Sequence, residues 1–213
     1  MPDQAGRLSE IKPRGEKEPI GGPRLPVLVL PLPPKVLRTE RDPLVGIPDE
    51  ICGGVLSAGT DRLSAPGRHG IPHLIVPGCV DMANFGPLST VPEVHRNAGR
   101  LLYEWNPAVT LMRTNVEENR QMGHIFAQKA NEAQGPVAFL LPTQGVSILD
   151  GDGERFCDRE ADAAFFQALR DEVRPDIPVV ECAANINDAM FAEQAVKLIF
   201  KLLANTAGHK ETS

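Results

Sequence analysis

The 213-residue sequence predicts an α/β fold: a Rossmann-like parallel sheet flanked by helices. Three observations predict it. Short apolar runs, IPHLIVP, VTLMR, PVAFLLP and IPVVEC, recur along the chain. Each leads into a loop rich in Gly, Asn, Asp or Thr, and most lead on to a segment with apolar residues at helical spacing. The run Val137 to Leu141 is apolar throughout, as expected of a strand covered on both faces. Strands alternating with helices imply parallel pairing through right-handed crossovers.

Composition shifts near residue 48, since half of the 20 prolines fall at or before Pro48. Residues 1–48 read as a disordered or extended Pro-rich leader, with Val27 to Leu32 as an edge strand at most. Residues 49–205 read as the α/β domain and 206–213 as a tail. Within the domain, Asp49 to Leu56 and Thr60 to Gly67 look helical. His73 to Val76 and Val109 to Arg113 look like strands of the parallel sheet. Thr114 and Glu117 match a capping box for a helix with Met122, Ile125, Phe126 and Ala130 on one face. Asp158 opens an acidic first turn, and Ala161, Phe165, Ala168 and Leu169 form the buried stripe behind it. Ile177 to Cys182 is the last strand. Asn187 or Asp188 caps a final helix with Phe191, Ala195, Leu198, Ile199 and Leu202 on its apolar face.

A net charge of −6 opposes nonspecific nucleic-acid binding, which needs a basic face. No stretch approaches the ~20 apolar residues of a membrane span. The cysteines Cys52, Cys79, Cys157 and Cys182 have neither zinc nor redox spacing, and the five histidines do not cluster. Reduced thiols, a cytoplasmic location and no metal site are the resulting expectations.

Ligands of open α/β sheets sit outside the carboxyl ends of the strands. The candidate residues therefore lie in the loops. Asp81 and Asn84 are three apart in GCVDMANFGP, beside Met82 and Phe85 as a pocket wall. Asp81 has the chemistry of an acid/base group, against the alternative of a loop-shaping Asx-turn. Arg113 and Thr114 precede a helix N-terminus, where a guanidinium suits an anion or pairs with Glu117 or Glu118. Gly145 allows close backbone approach, and Ser147 is either a ligand contact or a turn residue. The loop lacks the P-loop pattern. Asn185, Asn187 and Asp188 read as caps.

The segments GGVLSAGTDRL, IPHLIVPGCVDMANFGP, NPAVTLMRTNVEENRQMG, GPVAFLLPTQGVSILD and NINDAMFAE occur in this order between Asp49 and Leu203. Together they resemble the C-terminal half of an uncharacterised protein family that is similar to the tomato mosaic virus resistance protein. Its members are described as ATP-binding domains of that type. The resemblance implies Rossmann-like halves and an association with nucleotides, with ATP as the cofactor to expect. It also implies that the family's N-terminal half is missing, so that the sheet is truncated on its N-terminal side. A parallel sheet without its first strands exposes apolar edge and face, which predicts marginal stability or a homo-oligomer.

Three functions compete. A binding domain would hold a nucleotide or other anionic small molecule through Asn84, Arg113, Thr114, Gly145 and Ser147. An enzyme for a small carboxylate or phosphate ester would use Asp81 as acid/base and Arg113 as clamp. A protein-interaction module is the third, by analogy with the resistance protein.

Overall fold

The computed structural model describes residues 46–208. Their elements are α1 (Ile47–Cys52), α2 (Ser64–Arg68), β1 (His73–Ile75), β2 (Met82–Phe85), α3 (Glu93–Asn97), β3 (Leu102–Asn106), β4 (Val109–Arg113), α4 (Val116–Asn131), β5 (Val137–Pro142), α5 (Arg159–Glu172), β6 (Val179–Cys182) and α6 (Ala189–Gly208). The expected leader strand at residues 27–32 lies outside the described residues. None of the described helices is long and apolar enough to cross a membrane.

The fold is α/β, with a three-stranded parallel sheet flanked by helices. Its order is β1-β5-β6, with His73 opposite Val137 and Phe139 opposite Val179. β5 is buried along its whole length, as its unbroken apolar sequence requires of a central strand.

Val109 to Arg113 does not join that sheet. As β4 it is the middle strand of a second, antiparallel sheet in the order β2-β4-β3. Met82 pairs with Arg113, and Leu102 pairs with Met112. The reason is the short link from β3 to β4. Asn106 Oδ1 accepts from the Ala108 N–H to close a tight turn, and so short a link permits only antiparallel pairing. β2 takes up residues expected in a loop, and β3 was not foreseen at all.

One face of the parallel sheet packs against α4 and α5. Their core contains Met122, Phe126, Val137, Phe139, Leu141, Phe165 and Leu169. Phe126 and Phe165 meet edge to face at 5.1 Å and 78°. The two helices approach closely at Gly123, where a Cβ would stand 2.5 Å from the Phe165 carbonyl oxygen and 2.8 Å from the Ala168 Cβ. On the other face, Leu140, Cys182, Ala184 and Phe191 form a smaller cluster beneath α6. A third cluster, Cys52, Ala83, Phe85, Val91 and Met112, joins α1 to the antiparallel sheet.

Helix ends follow local chemistry. Gly53, at φ 72°, ends α1 in a left-handed turn, earlier than the sequence reading placed it. The capping box of α4 is Asn115 with Glu118, one residue beyond the expected pair. Asn115 Oδ1 accepts from the Glu118 N–H at 2.9 Å, and Glu118 Oε2 accepts from the Asn115 N–H at 2.8 Å. Thr114 is unavailable as a cap because its hydroxyl oxygen already accepts from Arg113 Nη1 at 3.1 Å and Asn119 Nδ2 at 2.9 Å while donating to the Val80 carbonyl at 2.8 Å. Asp158 caps α5 as expected, accepting from the Ala161 N–H at 3.0 Å.

Arg113 ties the second sheet to α5 and its preceding loop. Nε donates to the Phe156 carbonyl at 2.7 Å. Nη1 donates to Thr114 Oγ1 at 3.1 Å. Nη2 reaches Asp162 Oδ1 at 2.8 Å, the Asp158 carbonyl at 3.2 Å and Asp150 Oδ1 at 3.3 Å. Asp150 is fully buried, and Arg113 and Asp162 are nearly so. Around this cation, Tyr103 of β3 meets the Phe156 ring edge-on at 6.4 Å, and Arg155 stacks over Tyr103 at 4.3 Å.

Two stability predictions follow from this packing. Gly123→Ala, although it improves helix propensity, forces α4 and α5 apart and lowers stability by about 1–3 kcal/mol in urea denaturation. Arg113→Met leaves the buried Asp150 and Asp162 to the part-exposed Arg159 and lowers stability by about 3–5 kcal/mol, read the same way. A change below ~0.5 kcal/mol in either variant would contradict the corresponding contact.

Candidate functional site

Between β1 and β2 the chain passes from one sheet to the other. The Asp81 carbonyl accepts from the Thr114 N–H at 3.0 Å, and Thr114 Oγ1 holds Val80. These bonds pin Asp81 beside the end of β4. The β5–α5 loop arrives from the other side. Ser147 Oγ donates to Asp81 Oδ2 at 2.6 Å and accepts from the Leu149 N–H at 3.0 Å. Asp150 Oδ2 accepts from the Val146 N–H at 2.9 Å, which closes the loop on itself.

The structure thus gathers Asp81, Arg113, Thr114, Gly145 and Ser147, which come from three separate segments. Asp81 is fully buried, and its Oδ1 has no hydrogen-bond partner among the described residues. Burial pushes the Asp81 carboxyl up to about 6. The Ser147 hydroxyl and the Arg113 charge pull it down, while the neighbouring Asp150 adds to the rise.

Asn84 is not part of this group. Its side chain donates to Asp49 Oδ2 at 3.0 Å, and its N–H donates to Asp49 Oδ1 at 3.0 Å. Successive side chains of a strand point to opposite faces, so residues three apart diverge. Asp81 and Asn84 therefore cannot share a pocket once residues 82–85 form β2. Asp49 is buried as well, and burial raises its carboxyl while the Asn84 bonds lower it.

The other expected residues have partners of their own. All three guanidinium nitrogens of Arg113 donate internally, and Thr114 Oγ1 also accepts from Asn119 Nδ2 at 2.9 Å. Gly145, at φ 137°, makes room for Asn185: a Cβ there would lie 2.2 Å from Asn185 Nδ2. That amide donates to the Ser147 carbonyl at 2.8 Å, and the Ile186 N–H donates to the Gly145 carbonyl at 2.9 Å. Asn185 thus braces the Ser147 loop from the β6–α6 turn.

Four neighbours were not foreseen as site residues. Asp150 and Asp162 balance Arg113, and Arg159 bonds both, to Asp150 Oδ2 at 3.2 Å and Asp162 Oδ2 at 2.7 Å. Asp162 sits among ordinary-looking helix charges, and no spacing rule distinguishes it. Cys79 was read only as a reduced thiol. It is an exposed residue with φ 54°, and its N–H donates to the Val146 carbonyl at 2.9 Å. Among the described residues no group of three or more His, Cys, Asp or Glu side chains is arranged to hold a metal ion. Chemically, the arrangement offers two buried carboxyls pushed up to about 6, Asp81 and the Arg113-paired Asp162, and a serine whose proton is donated to Asp81.

Comparison with known proteins places the chain. Residues 44–203 match the C-terminal domain of an uncharacterised protein family, UPF0261. A UPF0261 protein of Clostridium tetani is 44% identical over 156 residues, covering 73% of this chain and 38% of the relative. A UPF0261 protein of Rhizobium meliloti is 47% identical over 150 residues, covering 70% and 37%. The ToMV resistance protein Tm-1(GCR237) of Solanum lycopersicum is 36% identical over 154 residues, covering 70% and 20%. The matched region spans well under half the length of these relatives. On a match that takes in most of its length, the chain belongs to the UPF0261 family and carries that family's C-terminal domain.

Proposed function

We propose that this domain binds a small molecule at the junction of its two sheets and that Asp81 exchanges a proton with it. The observation that carries the proposal is the Asp81 carboxyl: fully buried, raised to about 6, with one oxygen on Ser147 and the other unpartnered. Perturbed carboxyls of this kind cluster at functional sites, because a group titrating near the working pH can both give and take a proton. Ser147 orients the carboxyl, Gly145 admits the Asn185 brace, and Thr114 fixes the backbone of Val80 and Asp81. Arg113 acts from inside, setting the charge around Asp81 instead of clamping the ligand. Nucleotides, expected from the family resemblance, and small carboxylic acids are the ligand classes to try. A cytoplasmic location fits the four unpaired cysteines.

A thermal-shift panel of nucleotides, including ATP, and small carboxylic acids tests the binding. A true ligand at 100 times its Kd stabilises the fold by ~2.7 kcal/mol, and Asp81→Asn removes most of that gain. An unchanged gain in Asp81→Asn would sink the assignment of Asp81.

The pH dependence has a definite sign. The folded Asp81 holds its proton to about pH 6, whereas an unfolded aspartate releases it near its ordinary 3.8. The folded chain binds more protons in that window, so stability falls as pH rises through it, by about 3 kcal/mol from this group. Asp162 acts in the same sense, its carboxyl also raised to about 6 by burial and by Asp150. Urea midpoints at pH 4 and 7 should therefore differ less in Asp81→Asn than in the parent chain. Equal differences in the two proteins would show that Asp81 titrates as an ordinary surface carboxylate.

A further inference from the structure

The Asp81 site has no cation to spare for an anionic ligand. All three guanidinium nitrogens of Arg113 donate within the domain, to Asp150, Asp162, Thr114 and the carbonyls of Phe156 and Asp158. Arg159 is used in the same way, on Asp150, Asp152, Asp162 and the carbonyls of Gln144 and Asp150. Two guanidiniums therefore share three carboxylates before Asp81 is counted. Arg100, which donates to the Arg113 carbonyl at 2.7 Å, is paired with Glu118 at 2.6 Å. Arg155 is stacked over Tyr103.

The unmet hydrogen-bonding capacity beside the site is of one kind. Asp81 Oδ1 and Asn119 Oδ1 are buried oxygens without a partner among the described residues. The Asn119 amide is oriented by its own bonds. Nδ2 donates to Thr114 Oγ1 and to the Asn115 carbonyl, both at 2.9 Å, which leaves Oδ1 as the free end. Thr114 also holds Asp81 through its N–H, so both oxygens belong to one bonded network. With Asp81 ionised, both can only accept. An incoming group must therefore bring hydrogens, and the surplus of carboxylate favours one that also brings positive charge. A phosphate or carboxylate would set a second anion against a buried carboxyl that has no free counter-ion.

We infer that the group received by Asp81 is a nitrogen cation, an amidinium or a primary ammonium, and that phosphate and carboxylate groups are excluded. The inference rests on the reading of Asp81 as the carboxyl that meets the ligand, and it narrows the ligand class of that same site. Asp81 Oδ1 accepts an N–H of the cation while Oδ2 keeps its bond from Ser147. The head group is small, because Asp81 is fully buried. A proton on Asp81 opposes this binding and passes to solvent as the cation enters. Cys79, two residues away, adds no charge, since burial and the Asp81 charge both push its thiol up. Asp162 titrates over the same range as Asp81, and its protonation disfavours the cation in the same sense.

Acetamidinium, acetamide and acetate are nearly the same in shape but positive, neutral and negative, and they test the inference at constant ionic strength. Each is titrated into the full chain to tens of millimolar while the amide NMR shifts of Cys79 and Ser147 are followed. At pH 7 acetamidinium should bind at least roughly tenfold more tightly than acetate, with acetamide between them, and Asp81→Asn should remove that advantage. The affinity for acetamidinium should fall roughly tenfold from pH 7 to pH 5 as Asp81, titrating at about 6, takes up its proton. Acetamidinium keeps its charge over this range, so the pH series in the parent chain stands even where the variant fails to fold. Acetate binding that is equally tight and is lost in Asp81→Asn, or an acetamidinium affinity that rises on acidification, would overturn the inference while leaving the site. Silence from all three compounds at Cys79 and Ser147 would remove the site and the inference together.

Discussion

A single buried cation organises this domain. Arg113 ends the central strand of the antiparallel sheet, and its guanidinium lies among Asp150, Asp162 and the carbonyl oxygens of Phe156 and Asp158. Removing a guanidinium from water is costly, and only a nearly complete set of acceptors offsets that cost. The acceptors here come from the loop after β5 and from the start of α5, so satisfying Arg113 brings the two sheets together. The strand pairing of Met82 with Arg113 carries the constraint on to β2 and to the segment just before it.

The same constraint sets the chemistry of Asp81. A carboxyl removed from water has its ionised form disfavoured, and a cation nearby restores part of it. At Asp81, burial outweighs the Ser147 hydrogen bond and the Arg113 charge, and the nearby Asp150, itself paired with Arg113, adds to the rise. Ser147 reaches Asp81 only because its loop is held at both ends, by Asp150 folding back on Val146 and by Asn185 gripping the Ser147 carbonyl. The fold therefore exerts its effect on the site through loop geometry, and the parallel sheet serves as the platform.

Much of this was legible in the sequence, and the parts that were not share a physical reason. The unbroken apolar run of β5, the stripes of α4 and α5, and the Asp158 cap are local signals, and local signals survive without coordinates. Asp81, Arg113 and Ser147 stood out by residue type and position. Their contacts did not, since Asp81 and Ser147 are 66 residues apart and Arg113 meets its carboxylates 37 and 49 residues on. Arg113 looked like an anion clamp because its counter-ions, one of them hidden among ordinary helix charges, could not be placed. Asn84 was grouped with Asp81 because Asn, Asp and Gly suggested a loop, and the period-two geometry of β2 separated them. β3, with Tyr103 and Trp105 just before an Asn-Pro turn, carried a hairpin signal that the expectation of parallel pairing overrode.

The measurement that tests this account most directly is a double-mutant cycle between β4 and α5. Arg113→Met, Asp162→Leu and the combined variant are compared with the parent chain by urea denaturation, which isolates the energy of the pair from the damage done by each change. The buried contact predicts a coupling of at least ~2 kcal/mol, with the double variant far more stable than the sum of the single losses. Additive losses would mean that Arg113 and Asp162 do not hold the sheets together, and the placement of Ser147 against Asp81 would lose its physical basis.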